Sequence, residues 1–191
     1  MNSPLQIFID ACLINNFVLA LFLGLCPFMG VSTKTETAVR MGGAVTFVML
    51  IASLCAYGIH EVLVFINAPY LQLISYIVVI ASSVQLVEMF VKKFSPTMFR
   101  AFGIYLPLMT TNCAILGVAL FQTSRAYDFI QCLSFALGAG AGFTLALLMM
   151  SGIRERLELS DVSSVVQGAA VTLMIAGVLS MAFMGFAGMG K

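Results

Sequence analysis

Tryptophan is absent, histidine occurs once, and charged residues make up only 9% of the 191 positions. Soluble domains carry about 25% charged residues. A chain that is 61% hydrophobic has more apolar surface than a soluble fold of this length could cover, so the bilayer is its solvent. Without tryptophan, the interfacial belt rests on five tyrosines and part of the phenylalanine set. No Lys or Arg precedes the first apolar run and Asp10 interrupts it, so the N-terminal stretch is not read as a signal peptide. The five cysteines lie in apolar surroundings without CxxC spacing, which excludes a secreted disulfide framework and a zinc pattern. No carboxylate lies mid-span. Asp10 and Glu88 stand near span ends, which leaves a proton relay confined to this chain without its usual buried ionisable group. The net charge of +1 argues neither for nor against nucleic acid, and none is assigned as a partner.

What is present is long apolar runs. Counting His as charged, uncharged stretches cover 11–33, 41–59, 62–87, 101–124, 129–153 and 162–190. Each is long enough to cross a bilayer as a helix, which takes roughly 17–25 residues. The expected fold is an all-α polytopic membrane protein with six transmembrane helices. The loops after spans one, three and five hold seven basic residues: Lys34, Arg40, Lys92, Lys93, Arg100, Arg154 and Arg156. The other face holds two, Arg125 and Lys191. The excess of Lys and Arg on cytoplasmic loops puts both termini outside. The whole chain, 1–191, reads as one membrane domain with halves of approximately 1–90 and 91–191. Three spans per half make the halves inverted repeats, related by a pseudo-twofold axis in the membrane plane.

Two stretches in these halves look like copies. One is Gly24-Leu25-Cys26-Pro27-Phe28-Met29-Gly30-Val31, and the other is Thr110-Thr111-Asn112-Cys113-Ala114-Ile115-Leu116-Gly117-Val118. Both contain Cys-x-x-x-Gly-Val beside residues that disturb a helix: Gly24 and Pro27 in the first, Pro107, Thr110, Thr111 and Asn112 in the second. The first and fourth spans are therefore expected to be broken near the membrane centre, where irregular backbone survives only under shelter. An in-plane axis keeps equivalent residues at equal depth only at the midplane, so a site shared by Cys26 and Cys113 belongs near the centre. Two readings of this pair stand side by side. Free cysteines are among the most buried residues and pack as small hydrophobes; alternatively, soft thiolates ligate iron–sulfur clusters, copper(I) or zinc. A [2Fe–2S] cluster usually takes four cysteines, so a second chain would supply the other two.

Cys12, Cys55 and Cys132 lack a partner at the offset linking Cys26 to Cys113 and read as packing residues. Gly138-Ala139-Gly140-Ala141-Gly142 has no strand context and reads as close helix packing rather than a dinucleotide loop. Asn15, Asn16, Thr110, Thr111 and Asn112 could line an ion path; their plainer role is to hydrogen-bond between helices. His60 and Glu61 are expected at a span end.

Several runs together resemble the A subunits of Rnf complexes. They are Asn15-Asn16-Phe17-Val18-Leu19, Phe22 to Ser32, Glu36-Thr37-Ala38, Gly103 to Leu108, Thr110 to Val118, Ile153-Arg154-Glu155-Arg156-Leu157 and Ala182 to Phe186. The E subunits of sodium-pumping NADH:quinone oxidoreductases are similar too. The resemblance covers nearly the whole chain. It implies a multi-pass subunit of a prokaryotic plasma (inner) membrane translocase that passes electrons between ferredoxin and NAD and moves sodium ions or protons. It implies a partner, a homologous inverted subunit of the Rnf E type, and a [2Fe–2S] cluster shared with it, held here at Cys26 and Cys113. Other Rnf subunits carrying iron–sulfur clusters and flavins would complete the complex, with no complete active site in this chain. The competing reading is an inverted-repeat secondary transporter or channel whose cysteines are structural; a subunit that only holds partners together is a third.

The charge asymmetry carries a test. A cysteine introduced at Lys191 should react with a membrane-impermeant thiol reagent in intact, outer-membrane-permeabilised cells, and failure of the unmasked protein to react would reverse the orientation.

Overall fold

In hydrocarbon a backbone segment meets its own hydrogen-bonding needs most simply as a helix, and no strand occurs among the described residues. The structure is a computed structural model that describes residues 3–31, 35–66, 69–94, 111–158 and 169–187. Helix α1 (Pro4–Ile9) is capped by Ser3 and runs into a wide π turn, Asp10–Ile14. Helix α2 (Leu25–Val31) follows an irregular segment, and α3 (Thr35–Ile66) is the longest helix among the described residues. A single 3₁₀ turn, Pro69–Leu71, leads into α4 (Gln72–Phe94). The second half contributes α5 (Cys113–Ser124), α6 (Phe129–Glu158) and α7 (Ala169–Ala187).

By length and composition, three helical stretches among the described residues can cross a bilayer: Thr35–Ile66, Gln72–Met89 and Phe129–Leu157. Pro4–Ile14, Cys113–Ser124 and Ala170–Gly185 are shorter apolar helices. The expected first span, 11–33, is indeed interrupted: its backbone leaves the helix at Asn15 and re-enters at Leu25. The fourth is helical from Cys113, while residues 101–110, including Pro107 and Thr110, lie outside the described residues. One boundary moves. His60 and Glu61 do not end a helix; α3 continues past them to Ile66, and the next long helix starts at Gln72 rather than at 62. Neither side chain breaks a helix, whereas Pro69 lacks the amide hydrogen that would continue one.

Helices α3 and α6 form the central pair, and glycine lets them approach closely. A Cβ on Gly42 would stand 2.5 Å from Thr144 Oγ1, and a Cβ on Gly140 would stand 2.5 Å from Thr46 Cγ2. The seam is reciprocal: Gly42 and Thr46 of one helix oppose Thr144 and Gly140 of the other, in antiparallel order. Each threonine hydroxyl donates back to the glycine four residues earlier on its own helix, Thr46 to Gly42 at 2.7 Å and Thr144 to Gly140 at 2.9 Å. The remaining glycines of the run face the N-terminal element. A Cβ on Gly138 would come within 2.6 Å of the Phe8 carbonyl, and one on Gly142 within 2.7 Å of the Cys12 carbonyl. The Gly138–Gly142 run is thus close packing on two sides, as its composition predicts. Ala136, Ala139, Phe143, Ala146, Leu147 and Met150 of α6 are buried in the core.

Polar ties mark the two ends of the bundle. At one end Glu155 Oε1 accepts from the Thr35 amide and hydroxyl, both at 2.8 Å. At the other, Asp10 and Arg125 form an ion pair at 3.5 Å. A hydrogen bond from Arg125 to the Tyr127 hydroxyl is the main influence raising that guanidinium further.

Because the seam is limited by volume, Gly140→Ala should destabilise the detergent-solubilised protein by about 1–3 kcal/mol, the usual scale of overpacking. Combining it with Thr46→Gly should recover part of the loss, measured as non-additive thermal midpoints.

Candidate functional site

The break in the first span is held by one side chain. Asn16 is fully buried. Its Nδ2 donates to the carbonyls of Cys12 at 3.0 Å and Gly142 at 2.9 Å, and its Oδ1 accepts from the amides of Val18 at 3.0 Å and Leu19 at 3.4 Å. Three of these bonds, to Cys12, Val18 and Leu19, serve backbone groups of the interrupted span, and the fourth anchors the side chain on α6. Ser180 of α7 adds another, donating to the Leu19 carbonyl at 2.6 Å. Phe17 pins the segment from inside, with edge-on contacts to Phe121 and Phe135 at centroid distances of 5.7 Å. Asn15 donates to Asp10 Oδ1 at 2.8 Å and keeps partial surface access.

The irregular segment then delivers Cys26. Gly24 has φ +83°, a left-handed conformation that glycine adopts freely. A Cβ there would meet Phe143 Cε2 at 2.8 Å, Ala114 Cβ at 3.1 Å and Asn112 Oδ1 at 3.2 Å. The neighbouring Phe22, also at positive φ (55°), is exposed. Cys26 follows as the second residue of α2 and is exposed. Gly30, one turn further along, has nothing within 4 Å of the position a Cβ would take. The face of α2 bearing Cys26 and Gly30 is therefore open. At its far end, α2 is tied down by Arg154, whose Nη1 donates to the Met29 carbonyl at 3.2 Å and whose Nη2 contacts the Thr172 hydroxyl.

The second cysteine begins a helix too. Asn112 caps α5, its Oδ1 accepting from the Ala114 amide at 3.0 Å, and Cys113 is the first residue of the helix. The two motifs meet directly: the Gly24 amide donates to Cys113 Sγ at 2.8 Å. Gly117, the glycine of the second Cys-x-x-x-Gly-Val frame, makes room for the first motif's approach; a Cβ there would press on Leu23 and Phe17. The structure thus brings together Cys113, Asn112 and the loop leading to Cys26. Thr111 is exposed, and Thr110 lies outside the described residues.

The other cysteines sit apart from this junction. Cys132 is buried and contacts the Tyr127 carbonyl at 3.5 Å; Cys55 Sγ accepts from Ser83 at 3.6 Å; Cys12 is half-buried. Among the described residues, no group of three or more His, Cys, Asp or Glu side chains could close a metal site. Two features of the Cys26–Cys113 junction nevertheless suit an anionic, thiolate-bound group. Cys113 stands at the positive end of a 12-residue helix, and the buried Asn112 Nδ2 finds no acceptor among the described residues.

The model of the family described as "Rnf-Nqr subunit, membrane protein" matches residues 4–190. The chain belongs to the Rnf-Nqr family. Among Rnf-Nqr relatives, the A subunit of the ion-translocating oxidoreductase complex of Syntrophotalea carbinolica is 53% identical over 190 residues, covering 99% of this chain and 98% of the relative. The A subunit of the Na(+)-translocating ferredoxin:NAD(+) oxidoreductase complex of Acetobacterium woodii is 52% identical over 184 residues, 96% of each chain. The corresponding protein of Vibrio cholerae, also an A subunit of an ion-translocating oxidoreductase complex, is 50% identical over 192 residues, with both chains fully covered. The sequence resemblance to this family is therefore confirmed along the whole Rnf-Nqr chain.

Sequence reasoning flags Gly24 as a helix disturbance but gives no signal for its bond to Cys113, nor for the Ser180 and Arg154 ties, which join residues far apart in the chain. Gly24→Ala should cost roughly 1–2 kcal/mol in backbone strain alone and more from the Phe143 contact. Thermal unfolding in detergent should show a lowered midpoint, while Gly30→Ala, on the open face, should leave it near that of the parent.

Proposed function

We propose that this chain is an electron-relay subunit of a membrane translocase that links ferredoxin and NAD to the movement of sodium ions or protons, and that Cys26 and Cys113 supply half of a [2Fe–2S] site. The observation that carries this reading is the Gly24–Cys113 contact, which joins two cysteine-bearing helix starts from separate halves of the chain. The names of the relatives support it: one belongs to an ion-translocating oxidoreductase complex, another to a sodium-translocating ferredoxin:NAD oxidoreductase complex. When bound, the cluster supplies one-electron transfer without proton chemistry at the protein. The chain's own residues hold and shield that position. Gly24 donates to the Cys113 sulfur, Asn112 fixes the start of α5, and the core behind them excludes water through Phe143 and Ala114.

The open face of α2, with Cys26 and Gly30, is where a homologous subunit of opposite orientation would complete the ligand set. Six spans built as inverted halves, approximately 1–90 and 91–191, belong to the same proposal. The reciprocal Gly42–Thr144 and Gly140–Thr46 seam supports it, because a twofold axis between antiparallel helices produces that pattern. Placement in a prokaryotic inner membrane with both termini outside rests on the basic residues; the Thr35–Glu155 and Asp10–Arg125 ties, near opposite ends of α6, support it. Of the polar groups near the breaks, Asn15 and Thr111 reach the surface and are proposed to line the ion's path, together with Thr110. Asn16 commits its amide to the backbone, and Asn112 belongs to the cysteine site.

The test separates the five cysteines. Cys26→Ser and Cys113→Ser replace a soft thiolate with a hard hydroxyl and should abolish the membrane [2Fe–2S] resonance of the dithionite-reduced complex, along with ferredoxin:NAD activity. Cys12→Ala, Cys55→Ala and Cys132→Ala should retain both. Assembly of each variant is checked first by subunit composition. Retention of signal and activity in assembled Cys26→Ser and Cys113→Ser complexes would remove the relay assignment.

A further inference from the structure

Capping a helix does not require asparagine. Serine, threonine and aspartate do it about as well, and none of them brings along an amide nitrogen that must then be satisfied. Asn112 is only 3% exposed. Its orientation is fixed, because the oxygen has to be the atom that accepts from the Ala114 amide at 3.0 Å. Nδ2 is thereby turned away from the first turn of α5, and it has no acceptor among the described residues. Buried donors are normally paired, and an unpaired one calls for a missing acceptor. The surroundings say which kind. The carboxamide lies against Gly24, with Oδ1 3.2 Å from where a Gly24 Cβ would stand. Gly24 in turn donates its amide to Cys113 Sγ. The carboxamide that carries the unpaired donor therefore lies at the junction of the two cysteine loops.

We propose that Asn112 Nδ2 donates a hydrogen bond to a sulfur of the [2Fe–2S] group held at Cys26 and Cys113, and so sets its reduction potential; this rests on the relay reading above. A donor aimed at cluster sulfur stabilises the more negative, reduced form and raises the potential. The Gly24 amide acts in the same direction at the Cys113 sulfur. Asn112 thus has two separable duties: Oδ1 starts the helix, and Nδ2 tunes the site.

Asn112→Ser and Asn112→Asp keep the capping acceptor and remove the donor, and Asp adds a negative charge. Both are made in the full complex and compared with the parent by thermal midpoint, iron content and a redox titration followed by electron paramagnetic resonance. The expected result is a shift to lower potential in Asn112→Ser and a larger one in Asn112→Asp, with the thermal midpoint of the Ser variant near that of the parent. An unchanged potential in an iron-replete Asn112→Ser complex overturns the proposal. Should either variant lose iron or fail to assemble, the parent complex decides. With asparagine side chains labelled with ¹⁵N, pulsed resonance of the reduced cluster should show a weak nitrogen coupling, and its absence overturns the proposal equally. The two levels of inference fail differently. A cluster signal indifferent to Cys26→Ser and Cys113→Ser removes the relay reading and this proposal with it, whereas a cysteine-dependent signal with an unchanged potential in Asn112→Ser removes this proposal alone.

Discussion

A backbone amide or carbonyl in hydrocarbon has no water to turn to. That constraint governs the N-terminal third of this chain, because the segment between Asn15 and Gly24 gives up the bonds of a regular helix. It remains stable because side chains supply replacements: Asn16 from within the segment, itself anchored on the Gly142 carbonyl of α6, and Ser180 from α7. The glycines of α6 serve the same end. Only a helix without side chains at 138 and 142 lets the Phe8 and Cys12 backbone come close enough for Asn16 to reach across. Close packing and polar satisfaction are here one arrangement.

The break then sets the surroundings of the two cysteines proposed to hold the cluster. An unbroken helix would bury its amides in its own ladder; a helix that starts inside the protein presents unpaired N–H groups and the positive end of its dipole. Cys113 occupies such a start in α5, and Gly24 directs its amide at the sulfur. The bland fate of a buried cysteine, filling space, fits the position of Cys132, which is buried beside the Tyr127 carbonyl. Cys26 differs from it in being exposed on a helix that is otherwise fixed at its far end by Arg154.

Much of this is legible in the sequence, for physical reasons that vary by element. Long uncharged runs fix the all-helical class because a bilayer permits few alternatives. The interrupted first span is announced by Gly24 and Pro27, although the irregular stretch lies before Leu25 and Pro27 falls in the first turn of α2. The Gly138–Gly142 packing role follows from composition alone. Boundaries are less visible: His60 and Glu61 look like an interface, yet charge does not end a helix, and α3 proceeds to Ile66. The repeated Cys-x-x-x-Gly-Val frame points to a shared site, but not to the means by which its two copies touch. That contact depends on the left-handed turn at Gly24, and the seam of Gly42, Thr46, Gly140 and Thr144 depends on pairing between distant helices. Neither has a local signature, and Arg154 reaching Met29 and Thr172 has none either.

The bond between the Gly24 amide and the Cys113 sulfur also fixes the timing of an entropic cost. Two loops from opposite halves of a chain lose considerable freedom when brought to one place. Here that loss falls during folding, when Phe17, Leu23 and Gly117 lock together and Gly24 reaches the sulfur. The cluster proposed for Cys113 would therefore meet the loop that leads to Cys26 already tethered beside it, and the ordering that would otherwise weaken its capture would be complete beforehand.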